Sequence, residues 1–311
     1  MRILVTGGAG FIGSHVAAAF QEAGHEVCVL DNLLTGSKEN LPPSLNLTWA
    51  DLRDPFLEQN INELDFEIIC HHAAQISVPR SVEQPSADAE INISGMLNLM
   101  QIARRWKITR VIFSSSGGAV YGDPENIPVD ENTPPDPLSP YAVAKLSGEA
   151  YLRYYQRAYG ITFVVLRYAN VYGPRQAPVG ESGATAIFMK HLSERTSPTI
   201  YCPPGMPEGA VRDYIYVEDC VAANLLALHG GDNQIFNIGS GVGTATLDLW
   251  QQLVKASGVS DPPRVTMAGQ RPGDVRRTVL DCGKAKRELG WEPKISLPQG
   301  LTATWQWFVN K

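Results

Sequence analysis

The stretch Gly7-Gly8-Ala9-Gly10-Phe11-Ile12-Gly13 does most to limit what this chain can become. It follows an apolar run at 2–5 and opens a helical stretch at 14–23 that stops at Gly24, a plausible C-cap. Glycines at this spacing let a strand turn sharply into a helix. They also let backbone approach a pyrophosphate and helix pack close against strand. The helix N-terminus then presents unpaired N–H groups and the positive end of its dipole to the phosphates. A second strand at 26–30 stops at Asp31, 18 residues after Gly13, where a carboxylate accepts hydrogen bonds from ribose hydroxyls. Strand, loop, helix, strand and acid in this order predict a dinucleotide site built on Gly7, Gly10, Phe11, Ile12, Gly13 and Asp31. Asp31 would repel a 2′-phosphate, and the nearest cation is Lys38, so NAD is expected over NADP.

The rhythm continues with strands at 66–70 and 111–114 and a long helical stretch at 84–106. Helix 140–159 and strand 162–168 follow. Apolar strands alternating with helices predict an α/β fold, a doubly wound Rossmann-type parallel sheet with a smaller α/β C-terminal substrate lobe. The second half is richer in Pro and Gly, with helices expected at 217–229, 246–257 and 282–289 and a strand at 234–238. The expected division is 1–172 as the NAD-binding domain, with 214–245 returning to it. The segments 173–213 and 246–311 form the substrate lobe.

At 311 residues the chain can bury a large core without staples. The net charge of −6 disfavours nucleic acid as a partner. No apolar run reaches a membrane span, and the five scattered cysteines, with no CxxC pair, suit a reducing cytoplasm. His71-His72 has no Cys or carboxylate cluster beside it, and neighbouring strand residues face opposite ways, so no metal site is expected.

A second informative stretch is Ser139-Pro140-Tyr141-Ala142-Val143-Ala144-Lys145. Ser139 suits an N-cap and Pro140 the first helical position, which puts Tyr141 and Lys145 on one helix face at i and i+4. A nearby ammonium, the helix N-terminus and a positive nicotinamide favour the phenolate, so Tyr141 is a candidate acid/base. Ser116 follows a strand whose carboxyl end faces ligand in such sheets, and is the candidate assisting hydroxyl. Arg212 and Arg271, each next to a turn or loop, carry guanidiniums that suit an anion in a bidentate way; the bland alternative is a salt bridge with Asp213 or Asp274.

Together these stretches resemble the extended short-chain dehydrogenase/reductase family, and most closely its nucleotide-sugar 4-epimerases of the UDP-glucose/UDP-galactose type. The marks are TGGAGFIGSH at 6–15, DNL at 31–33, Asp51-Leu52, HHAAQISV at 71–78, Asn92 and SSSGGAVYG at 114–122. YAVAK at 141–145, LRYANVYGPRQ at 166–176, VRDYIYVED at 211–219 and RPGD at 271–274 complete the set. The resemblance implies NAD as cofactor. It places Phe11 and Ile12 at the pyrophosphate, Asp31 and Asn32 at the adenosine ribose and Asp51 and Leu52 at the adenine. His72, Ala73, Ala74 and Gln75 then line the cofactor channel, braced by Asn92. Tyr141 is implied as the catalytic acid/base, Lys145 as the ligand of the nicotinamide ribose and Ser116 as the assisting residue. Asn170, Arg212 and Arg271 are implied at the substrate diphosphate, Asp274 at the uridine ribose and Tyr201 near the uracil. The expected reaction is C4 epimerisation of a UDP-sugar through a 4-keto intermediate, and Ser116-Gly117-Gly118 lacks the acid that water loss requires. Two glycines, with Ala169 in place of a common Phe, suggest room for N-acetylated or uronic sugars. The alternatives are a UDP-glucuronate epimerase, a dehydratase or decarboxylase, or a catalytically silent NAD-binding regulator. The resemblance also implies a homodimer through helices 84–106 and 140–159.

Overall fold

A computed structural model describes residues 1–61, 65–178, 183–271 and 273–310; Pro272 of the RPGD stretch lies outside the described residues. The strands, in chain order, are β1 (Arg2–Thr6), β2 (Glu26–Asp31), β3 (Asn46–Trp49), β4 (Ile68–His71), β5 (Arg110–Ser116) and β6 (Thr162–Tyr168). Then come β7 (Asn170–Tyr172), β8 (Thr199–Cys202), β9 (Val211–Tyr216), β10 (Gln234–Ile238), β11 (Gly243–Ala245), β12 (Thr266–Gly269) and β13 (Arg277–Thr278). Seven of them form one sheet in the order β10-β6-β5-β4-β1-β2-β3, and every neighbouring pair is parallel. This is the expected doubly wound sheet.

Parallel pairing puts all seven carboxyl ends on one edge. Alternate residues point to opposite faces, so Ile3 and Val5 enter one core while Leu4 enters the other. Helices cover both faces, which is why these strands are nearly continuous in apolar residues. The first helix, Phe11–Glu22, begins at Gly10, and Gly24 takes the left-handed conformation that ends it. The Pro140–Tyr159 helix starts as expected: Ser139 Oγ accepts from the Ala142 N–H and Pro140 occupies the first turn.

The predicted helix at 84–106 differs in detail. Pro85 starts a short helix, Pro85–Ala89, after the separate helix Val78–Glu83. The turn Glu90–Ser94 is widened to a π-helix before Gly95–Arg105 resumes normal winding. Such widened turns recur at functional sites, and this one carries the buried Asn92.

A second sheet joins β11, β9 and β13, with β7 also on β9; β8 and β12 pair separately. The segment 214–245 therefore divides: β10 lies in the large sheet, while Tyr214–Tyr216 of β9 and all of β11 lie in the small one. A third core under this region includes Tyr172, Phe188, Trp250 and Leu301, with Trp305 packed against it. The last helix, Leu297–Val309, carries a capping box formed by Ser296 and Gln299.

Candidate active site

The glycine loop is tight enough to demand glycine. Gly7 has φ +67°, and a Cβ there would lie 2.5 Å from the Ala73 backbone nitrogen; one on Gly13 would lie 2.3 Å from the Gly7 carbonyl oxygen. The loops after β1 and β4 therefore touch through backbone. Asp31 ends β2 almost fully buried. Its Oδ2 accepts from the Ala9 N–H at 3.0 Å and its Oδ1 from the Leu33 N–H at 2.8 Å, leaving lone pairs for hydroxyl donors. Next to it, Asn32 donates to Asp51 Oδ2 at 2.9 Å. Arg53 forks onto both Asp51 oxygens, at 2.9 and 2.8 Å, and holds that carboxyl well below the usual range. Asn32, Asp51 and Arg53 share a cavity of about 630 Å³ with Trp49. Leu52 is buried beneath Gly95.

After β4 the chain runs His72, Ala73, Ala74, Gln75. Asn92 braces it from both sides: its Oδ1 accepts from the Gln75 N–H at 2.8 Å and its Nδ2 donates to the Gln75 carbonyl at 2.9 Å. His72 stacks on Tyr168 with planes 8° apart, and its ring nitrogens are buried without a well-formed hydrogen bond among the described residues. Burial pushes His72 down to about 4, so it is neutral at pH 7. His71 bonds Thr6 Oγ1 at 2.6 Å and is committed to the core. Among the described residues no group of His, Cys, Asp and Glu is arranged to hold a metal ion. The glycine cradle, the part-free Asp31 carboxylate and the unpaired His72 nitrogens fit a bound dinucleotide.

Tyr141, Lys145 and Ser116 meet at the ends of β4 and β5. Ser116 closes β5 with its side chain close enough to the Tyr141 hydroxyl to lower that phenol's pKa. Lys145 donates to the Ser114 carbonyl at 2.9 Å, with its ammonium 5.8 Å from the Tyr141 ring centroid. The contact falls on Ser116; Gly118 sits beyond it, where a Cβ would meet only the Asn170 amide at 3.5 Å. Burial pushes Tyr141 up to about 12, opposed by the Ser116 side chain. This is opposite to the lowering expected from its cationic neighbours. The reason is that the phenol, part-buried between Ser116 and the helix start, loses more by desolvation than it gains from Lys145, itself pushed down to about 8 by burial.

Beneath this group lies an ion pair that sequence reading did not single out. Glu149, one turn beyond Lys145, receives Arg167 of β6 in a bidentate contact at 2.9 and 2.6 Å, and both side chains are almost wholly buried. Ser115 also donates to Glu149 at 2.7 Å, and Arg167 donates to the Tyr121 hydroxyl at 2.7 Å. The Tyr-x-x-x-Lys-x-x-x-Glu spacing in the sequence could have flagged Glu149, since i, i+4 and i+8 lie near one helical stripe.

Across the cleft, Arg271 bonds Asp274 at 2.9 Å and stacks on Tyr201 with its guanidinium 4.6 Å from the ring centroid. Arg212 instead points into backbone carbonyls, including Val211 at 3.1 Å and Arg276 at 3.3 Å. Among the described residues it has no carboxylate within salt-bridge reach. Asp213 is not its partner: that carboxylate accepts from Ser240, Gly241 and Leu280 N–H groups. Burial lowers the Arg212 pKa, and Asp274 and Arg271 are close enough to act on it electrostatically. A half-buried guanidinium without a paired acid is a ready anion ligand. Asn170 donates to the Asp213 carbonyl at 3.2 Å, beside Gly118.

Residues 3–239 match the NAD dependent epimerase/dehydratase family. The chain is similar to a UDP-glucose 4-epimerase of Mycolicibacterium smegmatis, with 41% identity over 318 residues that span 100% of this chain and 99% of the relative. Its fold superimposes on UDP-glucose 4-epimerase of Thermotoga maritima, solved with UDP-glucose, with a TM-score of 0.94 and 45% identity, covering 100% of this chain and 99% of that one. The Thermus thermophilus UDP-glucose 4-epimerase, solved in complex with NAD, gives a TM-score of 0.95 at 43% identity and 99% coverage of both chains. On these grounds the chain belongs to the NAD dependent epimerase/dehydratase family.

Proposed function

We propose that this chain catalyses NAD-dependent epimerisation at C4 of a UDP-linked sugar, with UDP-glucose and UDP-galactose as the principal pair. The observation that carries the reading is the contact of Tyr141 with Ser116, one helical turn from Lys145, on the sheet edge that also holds the glycine loop and Asp31. The 7–13 loop, Asp31 and the 72–75 segment would hold NAD, which when bound would supply reversible hydride acceptance at C4 of the sugar. Tyr141 takes the proton of the sugar 4-hydroxyl as the hydride leaves C4, and Ser116 orients that hydroxyl. The resulting 4-keto sugar turns over, and Tyr141 returns the proton when the hydride re-enters on the other face. Lys145 holds the nicotinamide ribose and stabilises the phenolate. Arg212, Arg271 and Asn170 grip the diphosphate, with Tyr201 and Asp274 at the uridine. Relatives solved with NAD and with UDP-glucose, at 43% and 45% identity, support this assignment. The 1–172 segment with β10 forms the cofactor side, and 173–213 with most of 246–311 forms the substrate side.

Proton NMR of the purified protein with UDP-galactose, UDP-N-acetylgalactosamine and UDP-glucuronate tests the reading. The expected result is the anomeric signal of the C4 epimer. No epimer even after NAD is added would sink it, and deoxy-methyl or pentose signals would mean dehydration or decarboxylation instead. Gly118, which leaves no side chain between β5 and the Asn170 amide, predicts that the larger sugars are also turned over. Gly118→Leu should then cut their turnover about tenfold more than that of UDP-galactose, the scale of a pocket filled by a few methylenes.

The chain also acts as a homodimer in this reading. The Pro140–Tyr159 helix leaves Val143, Tyr151 and Tyr154 on its outer face, exposed by 46%, 37% and 53%. A second copy pairing the same helix would bury them in an isologous contact. Light scattering should give twice the chain mass, and Tyr154→Glu should shift it to one; a wild-type monomer rules the dimer out. All five cysteines are free thiols, in keeping with a reducing compartment. Among the described residues no helix is long and apolar enough to cross a membrane.

A further inference from the structure

Asp88 belongs to none of the binding or proton-transfer roles assigned above, yet it is only 2% exposed. It sits on the short Pro85–Ala89 helix, which packs against the Pro140–Tyr159 helix. Its Oδ1 accepts from Gln75 Nε2 and from Asn92 Nδ2, both at 2.9 Å. Its Oδ2 is buried with no hydrogen-bond partner among the described residues. Asp88 also lines a cavity of about 410 Å³ together with Ser139, Pro140, Val143 and Ala144, the first turns of the helix that carries Tyr141 and Lys145. A half-unpaired buried carboxylate is costly. A single well-placed Asn or Leu would be cheaper if the only task were to fill this position.

We infer that Asp88 is a positioning residue for Tyr141 and Lys145, its fixed carboxylate setting the charge balance of that pair while it clamps the Gln75 segment beside them. The inference rests on the reading of Tyr141 as the acid/base. The other charged or titratable groups around the pair are Glu149 on the same helix, His71 and His72 at the end of β4, and Arg167 on β6. His71 and His72 are neutral, and Glu149 and Arg167 neutralise each other. Arg80, Glu83 and Glu90, on the elements flanking Asp88, are exposed to solvent and screened. Among these acids Glu149 is tied to Arg167, while Asp88, with Oδ2 free of hydrogen bonds among the described residues, has Lys145 as its nearest acting cation. Burial pushes its own carboxyl up, and the Gln75 and Asn92 amides and Lys145 pull the other way. Its field raises Tyr141 and Lys145 alike. The ammonium is retained, and the tyrosine remains protonated until ligands add positive charge.

Asp88→Asn separates charge from shape, because its Oδ1 still accepts from both amides. In the full-length protein with NAD present, ring-labelled tyrosine followed by carbon NMR reads the Tyr141 titration, with Tyr141→Phe identifying its resonance. The expected result in Asp88→Asn is a Tyr141 midpoint lower by about one unit, the scale of one charge at partly buried distance. The acidic limb of kcat for UDP-galactose should move the same way, with KM little changed. Asp88→Ser, which also lacks the charge, should repeat the shift and covers the case in which the Asn variant fails to fold. A folded variant with lower activity but an unmoved midpoint would reduce Asp88 to a structural clamp and overturn the inference. A wild-type protein that epimerises nothing would instead sink the functional reading, and the NMR midpoint would still decide the charge effect.

Discussion

Tyr141→Phe should lower turnover of UDP-galactose by about three orders of magnitude, within the range of lost general acid–base catalysis. The substitution removes one oxygen from a part-buried ring and leaves the ring itself in place. Packing is kept, so the melting temperature should stay near that of the wild type. The Ser116 hydroxyl loses its neighbour but can turn toward substrate. If Arg212, Arg271 and Tyr201 hold the diphosphate and uridine as proposed, KM should change much less than kcat. That pattern marks an interaction made in the transition state rather than in binding. Steady-state kinetics with UDP-galactose, beside a thermal melt, checks both halves. A variant within tenfold of wild-type kcat would remove Tyr141 from the proton-transfer role.

The largest stability effect is expected at Glu149 and Arg167. Arg167→Met leaves the Glu149 carboxylate buried, with the Ser115 hydroxyl as its remaining hydrogen-bond partner. Breaking one side of a buried ion pair costs about 3–5 kcal/mol. For a chain of this size that is a fall of roughly 10 °C in Tm. Glu149→Leu together with Arg167→Met should recover much of the loss, because no charge then remains unpaired. Thermal melts of the two single variants and the double variant form the test. Additive losses would mean the pair contributes by packing alone. The same network touches Ser115, next to Ser116, and lies one turn beyond Lys145, so kcat should fall in the single variants even below their melting range.

Much of this was legible in the chain because the signals are local. The glycine loop, Asp31 and the Ser139-Pro140 start of the catalytic helix each follow from neighbours within one or two turns. The short edge strand Asn46–Trp49 was not anticipated: it is only partly buried, so it lacks the apolar run that marked the other strands. The small sheet joins strands of three to six residues with two-residue β13, too short to show a period. The direction of the Tyr141 pKa depends on how completely the fold closes around the ring, which spacing alone does not carry. Glu149 and Arg167 are 18 residues apart in sequence and meet only because β6 lies beside β5 under the helix. Asp88 is an ordinary acid in an acidic chain until Gln75 and Asn92 converge on it. The C-terminal Ser296–Gln299 capping box was readable from its residues and was overlooked.

The interleaving of the two sheets has a consequence for inheritance. The chain visits the large sheet for β1–β6, leaves for β7 through β9, returns for β10, and leaves again for β11 onward. No single contiguous stretch therefore carries the sugar-facing half, and a recombination event with one crossover would cut through paired strands on at least one side. A lineage with this topology cannot exchange its sugar preference by swapping a cassette. It has to change specificity in place, by point substitutions at junctions such as 116–118, where β5 passes into a short helix at the carboxyl edge of the parallel sheet.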